Sequence, residues 1–171
     1  MDKETRKIVV VSDTHGRPGG MLYAIGQELP FDALVHCGDS EEDLAKRFGK
    51  GREYALYTVR GNCDRAAAGP ETCMFTVLGV PFYVAHGHTF GVKYSLGRLK
   101  EAARAADAKV CLFGHTHIPH WSEEDGILLL NPGSASIPGD PAKGRTYLVL
   151  EVREDGKVLV SQKTIPARIP S

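Results

Sequence analysis

"KIVVVSDTHG", residues 7–16, sets an unbroken aliphatic run against Ser, Asp and His. Consecutive apolar residues without alternation are the pattern of a strand covered on both faces, which occurs where other layers pack on each side of a sheet. The stretch therefore predicts a central strand of a parallel or mixed sheet. Its polar end leaves Asp13 and His15 where the strand gives way to a loop.

Working outward, "ALVHC" (33–37) is a second such run. The segments "GGMLYAIGQEL" and "SEEDLAKRFG" read as helices after each of the two, giving a βαβα opening. Acidic residues at the start of the second suit the positive end of a helix dipole. "YALYTV" is a third strand, and "TCMFTVLGVPFYVAHG" reads as a hairpin turning through Gly79. A helix is expected over about Ser95 to Ala106, because Leu96, Leu99, Ala103 and Ala106 share one face. "KVCLFG" is another buried strand, and "ILLLN", "RTYLVLEV" and "KVLVSQKTI" follow as strands between Gly and Asp turns; Pro138 and Pro141 mark a loop. Helices early and antiparallel strands late are both satisfied by two sheets packed face to face with helices outside.

The chain has 171 residues and no Ser/Pro/Gly linker, so one domain spanning residues 1–171 is expected. Lys plus Arg equals Asp plus Glu at 21 each, which removes the basic excess that drives binding to duplex nucleic acid. "MDKETRK" has no leader pattern and no apolar run reaches membrane-spanning length, so a cytoplasmic protein is expected. The four cysteines, Cys37, Cys63, Cys73 and Cys111, are widely spaced with no CxxC pair, which points to free thiols rather than disulfides or a zinc ribbon.

Of seven histidines, His15, His36, His86, His88, His115 and His117 sit where apolar runs end, with His120 just behind. Ligand crevices of open sheets form at the carboxyl ends of strands, so these turns can converge. "SDTHG" supplies Asp13 and His15, "HCGDS" supplies Asp39, "GNCD" supplies Asn62, "AHGHTFG" supplies His86 and His88, and "FGHTHIP" supplies His115 and His117. In an extended segment the members of each D-x-H or H-x-H pair point to one side. Each motif alone has a plainer reading, as a helix cap or an ordinary turn. Together they make a mixed nitrogen and oxygen donor set. Such a set favours divalent Mn, Fe, Zn, Ni or Co over Ca or Mg, and it has more donors than one ion uses. Two ions bridged by a carboxylate, some 3.5–4 Å apart, would leave a net positive site that attracts phosphate.

The ordered set D-x-H, G-D, G-N, His and G-H-x-H resembles the calcineurin-like metallophosphoesterase superfamily. "GNCD" and "NPGS" (131–134) are similar to its small bacterial and archaeal phosphodiesterase branch. The resemblance implies an α/β fold, a four-layer αββα sandwich of two mixed sheets flanked by helices. It implies two divalent ions, manganese foremost, with Asp13, His15 and His117 on one, Asn62, His86 and His115 on the other, and Asp39 bridging. It further implies a bridging hydroxide as the nucleophile, a small phosphodiester as substrate and self-association into a homo-oligomer. His88 matches no ligand position and is the candidate catalytic residue facing substrate. Many members carry a histidine after the motif asparagine to protonate the leaving group; here Cys63 stands in its place, followed by Asp64. A metal-binding scaffold resembling the retromer small subunit is the alternative, and a nuclease confined to short nucleotides the third reading.

Overall fold

The structure, a computed structural model, describes residues 3–65 and 69–169. Strand β1 (Thr5–Val11) shows why its sequence is apolar without interruption. Ile8 and Val10 pack in one core and Val9 and Val11 in another, as the alternation of side chains along a strand requires.

Three parallel strands, β1, β2 (Ala33–His36) and β3 (Ala55–Thr58), form one half of a five-stranded sheet. Antiparallel β9 (Arg145–Arg153) and β10 (Val158–Ile165) complete it in the order β10-β9-β1-β2-β3. The second sheet is built from β4 (Thr72–Val77), β5 (Val80–Ala85), β6 (Val110–Leu112), β7 (Pro119–Glu124) and β8 (Ile127–Pro132), ordered β4-β5-β6-β8-β7. Its centre is parallel and its two edges antiparallel, so both sheets are mixed.

Ile8, Val10 and Val35 meet Phe82, Leu112 and Leu130 between the sheets. The outer face of the first sheet carries α1 (Gly19–Glu28) through Met21, Ala24 and Ile25, and α2 (Leu44–Phe48) through Leu44. The outer face of the second carries α3 (Gly97–Ala105) through Leu99 and Ala103, against Cys111 and Leu129. Helix, sheet, sheet and helix make the four layers.

One local expectation is corrected, and one strand is new. The second helix begins at Leu44, not Ser40: the Asp43 carboxylate accepts the Lys46 amide at 2.9 Å as an N-cap, so Glu41 and Glu42 lie in the loop before it. Strand β7, "PHWSEE", has no apolar alternation to announce it; it exists because β8 pairs with it at the sheet edge. Among the described residues no helix is long and apolar enough to cross a membrane.

Candidate metal centre

The parallel strands of each sheet end at a shared rim, and the motif residues follow them there. Asp13 and His15 come after β1, Asp39 after β2, Asn62 after β3, His86 after β5, and His115 and His117 after β6. The pairs do not converge by lying on extended chain, as the spacing suggests. Asp13, His15, Asp39, His115 and His117 have φ of 55°, 48°, 58°, 71° and 60°. Left-handed turns are costly for residues with a Cβ and gather at functional sites, where surrounding structure holds them. The turns also divide the second H-x-H pair, His117 grouping with Asp13 and His15, and His115 with Asp39 and His86.

Within each of these groups the donor atoms lie within 4.8 Å of one another. Asp39 links them, its Oδ2 3.1 Å from His86 Nε2 and 3.9 Å from His15 Nε2. Asn62 Oδ1 is 3.1 Å from His86 Nε2. Two motif glycines make the approach sterically feasible. A Cβ at Gly61 would stand 2.1 Å from Asp39 Oδ1, and one at Gly114 would stand 2.1 Å from Ser12 Oγ and 2.6 Å from Asp13 Oδ2. "NPGS" braces the centre from the end of β8: the Ser134 and Ser136 hydroxyls both donate to the Asp13 carbonyl, at 2.8 and 2.7 Å.

Hydrogen bonds orient the imidazoles. His86 Nδ1 is 2.7 Å from the Cys37 carbonyl and His117 Nδ1 is 2.7 Å from the Ile137 carbonyl. A carbonyl only accepts, so each Nδ1 carries hydrogen and each Nε2 turns inward. His15 does the same with Glu41 Oε2 at 2.8 Å. His36 has the opposite tautomer, because the Gly38 amide donates to its Nδ1 at 3.1 Å and leaves Nε2–H for Thr14 Oγ1 at 2.9 Å. Burial pushes His36 down to about 4, so it is a neutral strut between the loops after β1 and β2.

Electrostatics show what this arrangement demands. Burial alone would raise the Asp13 and Asp39 carboxyls, yet the neighbouring histidines hold both below the ordinary range. Burial alone would depress His86, yet Asp39 and Asp13 raise it, and Asp13 raises His117. Burial, with His86 next, pushes His115 down to about 4. The inward nitrogens thus face carboxylate oxygens and require a positive charge between them. Asp13 Oδ1 makes the same demand: among the described residues it is buried with no hydrogen-bond partner. A divalent cation fits this donor set.

His88 lies beyond the two groups on the 3-10 turn His88–Phe90, its ring centroid 5.3 Å from His86 and 6.1 Å from His115. Its buried Nδ1 has no hydrogen-bond partner among the described residues. Cys63 Sγ lies within 4.8 Å of donor atoms of His15 and Asp39, and its backbone N–H donates to Asp39 Oδ1 at 2.8 Å. Partial desolvation, the charge and hydrogen bond of Asp39 and the charges of Glu41 and Asp64 raise its thiol pKa, which keeps it protonated and a poor nucleophile. Asp64 accepts the backbone amides of Asp39, Gly61 and Glu41, each at 2.8 Å. Sequence reasoning missed this clasp and the acceptor role of Glu41, for which "SEED" carries no signal. A cavity of about 720 Å³ adjoins this side of the centre, lined by Glu41, Cys63, Asp64 and Arg65 among others.

Fold and site together define a phosphoesterase class, and residues 7–155 match the family model of the calcineurin-like phosphoesterase superfamily domain. The chain belongs to that superfamily. It is 34% identical over 151 residues to a probable metallophosphoesterase of Mycoplasma pneumoniae, covering 86% of this chain and 91% of that one. It is similar to the crystal structure of a predicted phosphoesterase from Streptococcus pneumoniae, with TM-score 0.78, 28% identity and coverage of 95% and 99% of the two chains. Vacuolar Protein Sorting 29 from Cryptosporidium parvum has TM-score 0.74 over 95% of this chain and 98% of its own, at 19% identity, a likeness of fold alone.

Proposed function

We propose that the chain works as one domain that hydrolyses small phosphodiesters with two divalent ions, manganese foremost. The carrying observation is the inward convergence of Asp13, His15, Asp39, His86, His115 and His117, with Asn62 beside them, in two groups joined where Asp39 approaches His15. Asp13, His15 and His117 would hold one ion, Asn62, His86 and His115 the other, and Asp39 would bridge. When bound, the ions would supply Lewis acidity toward the phosphoryl oxygens and make an attacking water acidic enough to ionise.

The chain's own groups set the rest. Carbonyl and carboxylate acceptors hold three imidazoles with Nε2 inward, so no reorientation is needed when an ion arrives. His88, on the 3-10 turn beyond the two groups, would be the residue that faces substrate. The Cys63 thiol, its pKa raised above the ordinary value, is a much weaker acid than an imidazolium would be where a general acid would act, and a general acid typically contributes about 10²–10⁴ in rate. Good leaving groups are therefore preferred. Four free cysteines suit a reducing cytoplasm.

The test is a comparison of kcat/KM for an activated aryl diester and an alkyl monoester with Mn²⁺ present, and again after chelation. The expected result is metal-dependent cleavage of the diester and far slower cleavage of the monoester. Equal values on both, or activity that survives chelation, would refute the reading. Absence of hydrolysis with every metal, together with a co-purifying protein partner, would favour the scaffold, which has only fold likeness behind it.

A further inference from the structure

We propose that Glu41 is a positioning residue for His15, itself anchored by Asp64. The three inward histidines differ in what holds them. His86 and His117 use main-chain carbonyls, of Cys37 and Ile137, as Nδ1 acceptors. His15 uses a side chain, Glu41 Oε2 at 2.8 Å, and that carboxylate is 41% exposed. Of the three orientations, only that of His15 depends on a replaceable group.

Glu41 is not in this place by an ordinary backbone preference. Its φ is 57°, a strained value for a residue with a Cβ, and its N–H donates to Asp64 Oδ1 at 2.8 Å. The other Asp64 oxygen takes the amides of Asp39 and Gly61. One carboxylate from the loop after β3 thus sets both Asp39 and, through Glu41, the ring of His15. An ionised acceptor on Nδ1 fixes the tautomer and makes the opposite nitrogen a better donor to a cation. The consequence for metal rests on the proposed ion binding; the tautomer does not.

The experiment uses the full chain, with nitrogen-15 ring shifts read on metal-free protein above the histidine titration range. Wild type should show His15 as the Nδ1–H tautomer. Glu41→Ala should shift it toward Nε2–H, whereas Glu41→Gln, whose amide oxygen still accepts, should retain it. Calorimetric titration with Mn²⁺ should show Glu41→Ala weakening one of two binding events about 10–100-fold, with the other unchanged and Glu41→Gln in between. An unaltered His15 tautomer in Glu41→Ala would overturn the proposal, as would an altered tautomer with both affinities at wild-type values. If wild type bound no ion, the metal reading would fail, and the tautomer comparison would still decide the role of Glu41.

Discussion

Asp13 Oδ1 is buried without a hydrogen bond among the described residues while His117 Nε2 faces it from 3.2 Å, and the other ring nitrogen of His117 already donates to Ile137. Two acceptors meet there unless a proton or cation lies between. Asp13→Asn would aim an amide N–H₂ at the inward nitrogens and leave its oxygen for the Ser12 hydroxyl and the His115 amide, now at 2.5 and 3.0 Å from Oδ2. Asn also tolerates the left-handed backbone of this position better than most residues. The rise in Tm on adding Mn²⁺ should shrink in the variant relative to wild type. Parallel thermal melts with and without Mn²⁺ check this.

Gly61→Ala probes the same crowding from another side. Its Cβ would meet Asp39 Oδ1 at 2.1 Å, whereas a Cβ at Gly51 would meet nothing within 4 Å. Mn²⁺ affinity should fall sharply in Gly61→Ala and stay at the wild-type value in Gly51→Ala. Equal affinities would mean that the Asp39 position does not matter for binding.

The Cys63 backbone N–H donates to Asp39 Oδ1 at 2.8 Å, a contact that serine keeps. Cys63→Ser should therefore keep diester turnover close to wild type with metal content unaltered. Loss of turnover at unaltered metal content would make the sulfur a direct participant.

Away from the centre, Glu28 is buried between Lys7 Nζ and the Tyr147 hydroxyl, both at 2.8 Å. Burial opposes its ionisation, but Lys7 and Tyr147 outweigh it and hold the carboxyl below its ordinary 4.5. The folded state thus favours the carboxylate. Its contribution is complete above the ordinary value and is lost as pH falls through the lower folded one. Glu28→Gln should cost about 1.5–3 kcal/mol at pH 7 in a urea melt, with the difference narrowing below about pH 4.

Much of this architecture is legible in local pattern. The unbroken run at Ile8–Val11 needs covering layers on both faces, and the ordered Asp, Asn and His motifs mark the rim where strands end. Features made by partners distant in sequence are not legible. Trp121, 62% exposed, gives β7 no amphipathic signature, because that strand is defined by pairing with β8. Glu41 reads as a helix-opening acid until Asp64, from another loop, takes its amide. The left-handed turns at Asp13, His15, His115 and His117 occur without glycine, so no residue type announces them.

The central claim is that these turns assemble a two-ion centre, and elemental analysis of Mn²⁺-replete, dialysed protein tests it most directly. Asp39 Oδ2 approaches histidines of both groups, so removing it should disturb both ions, whereas Asp13→Ala should spare the group of Asp39, His86 and His115. The expected result is about two ions per wild-type chain, about one in Asp13→Ala and close to none in Asp39→Ala. One ion or none in the metal-replete wild type would contradict the account.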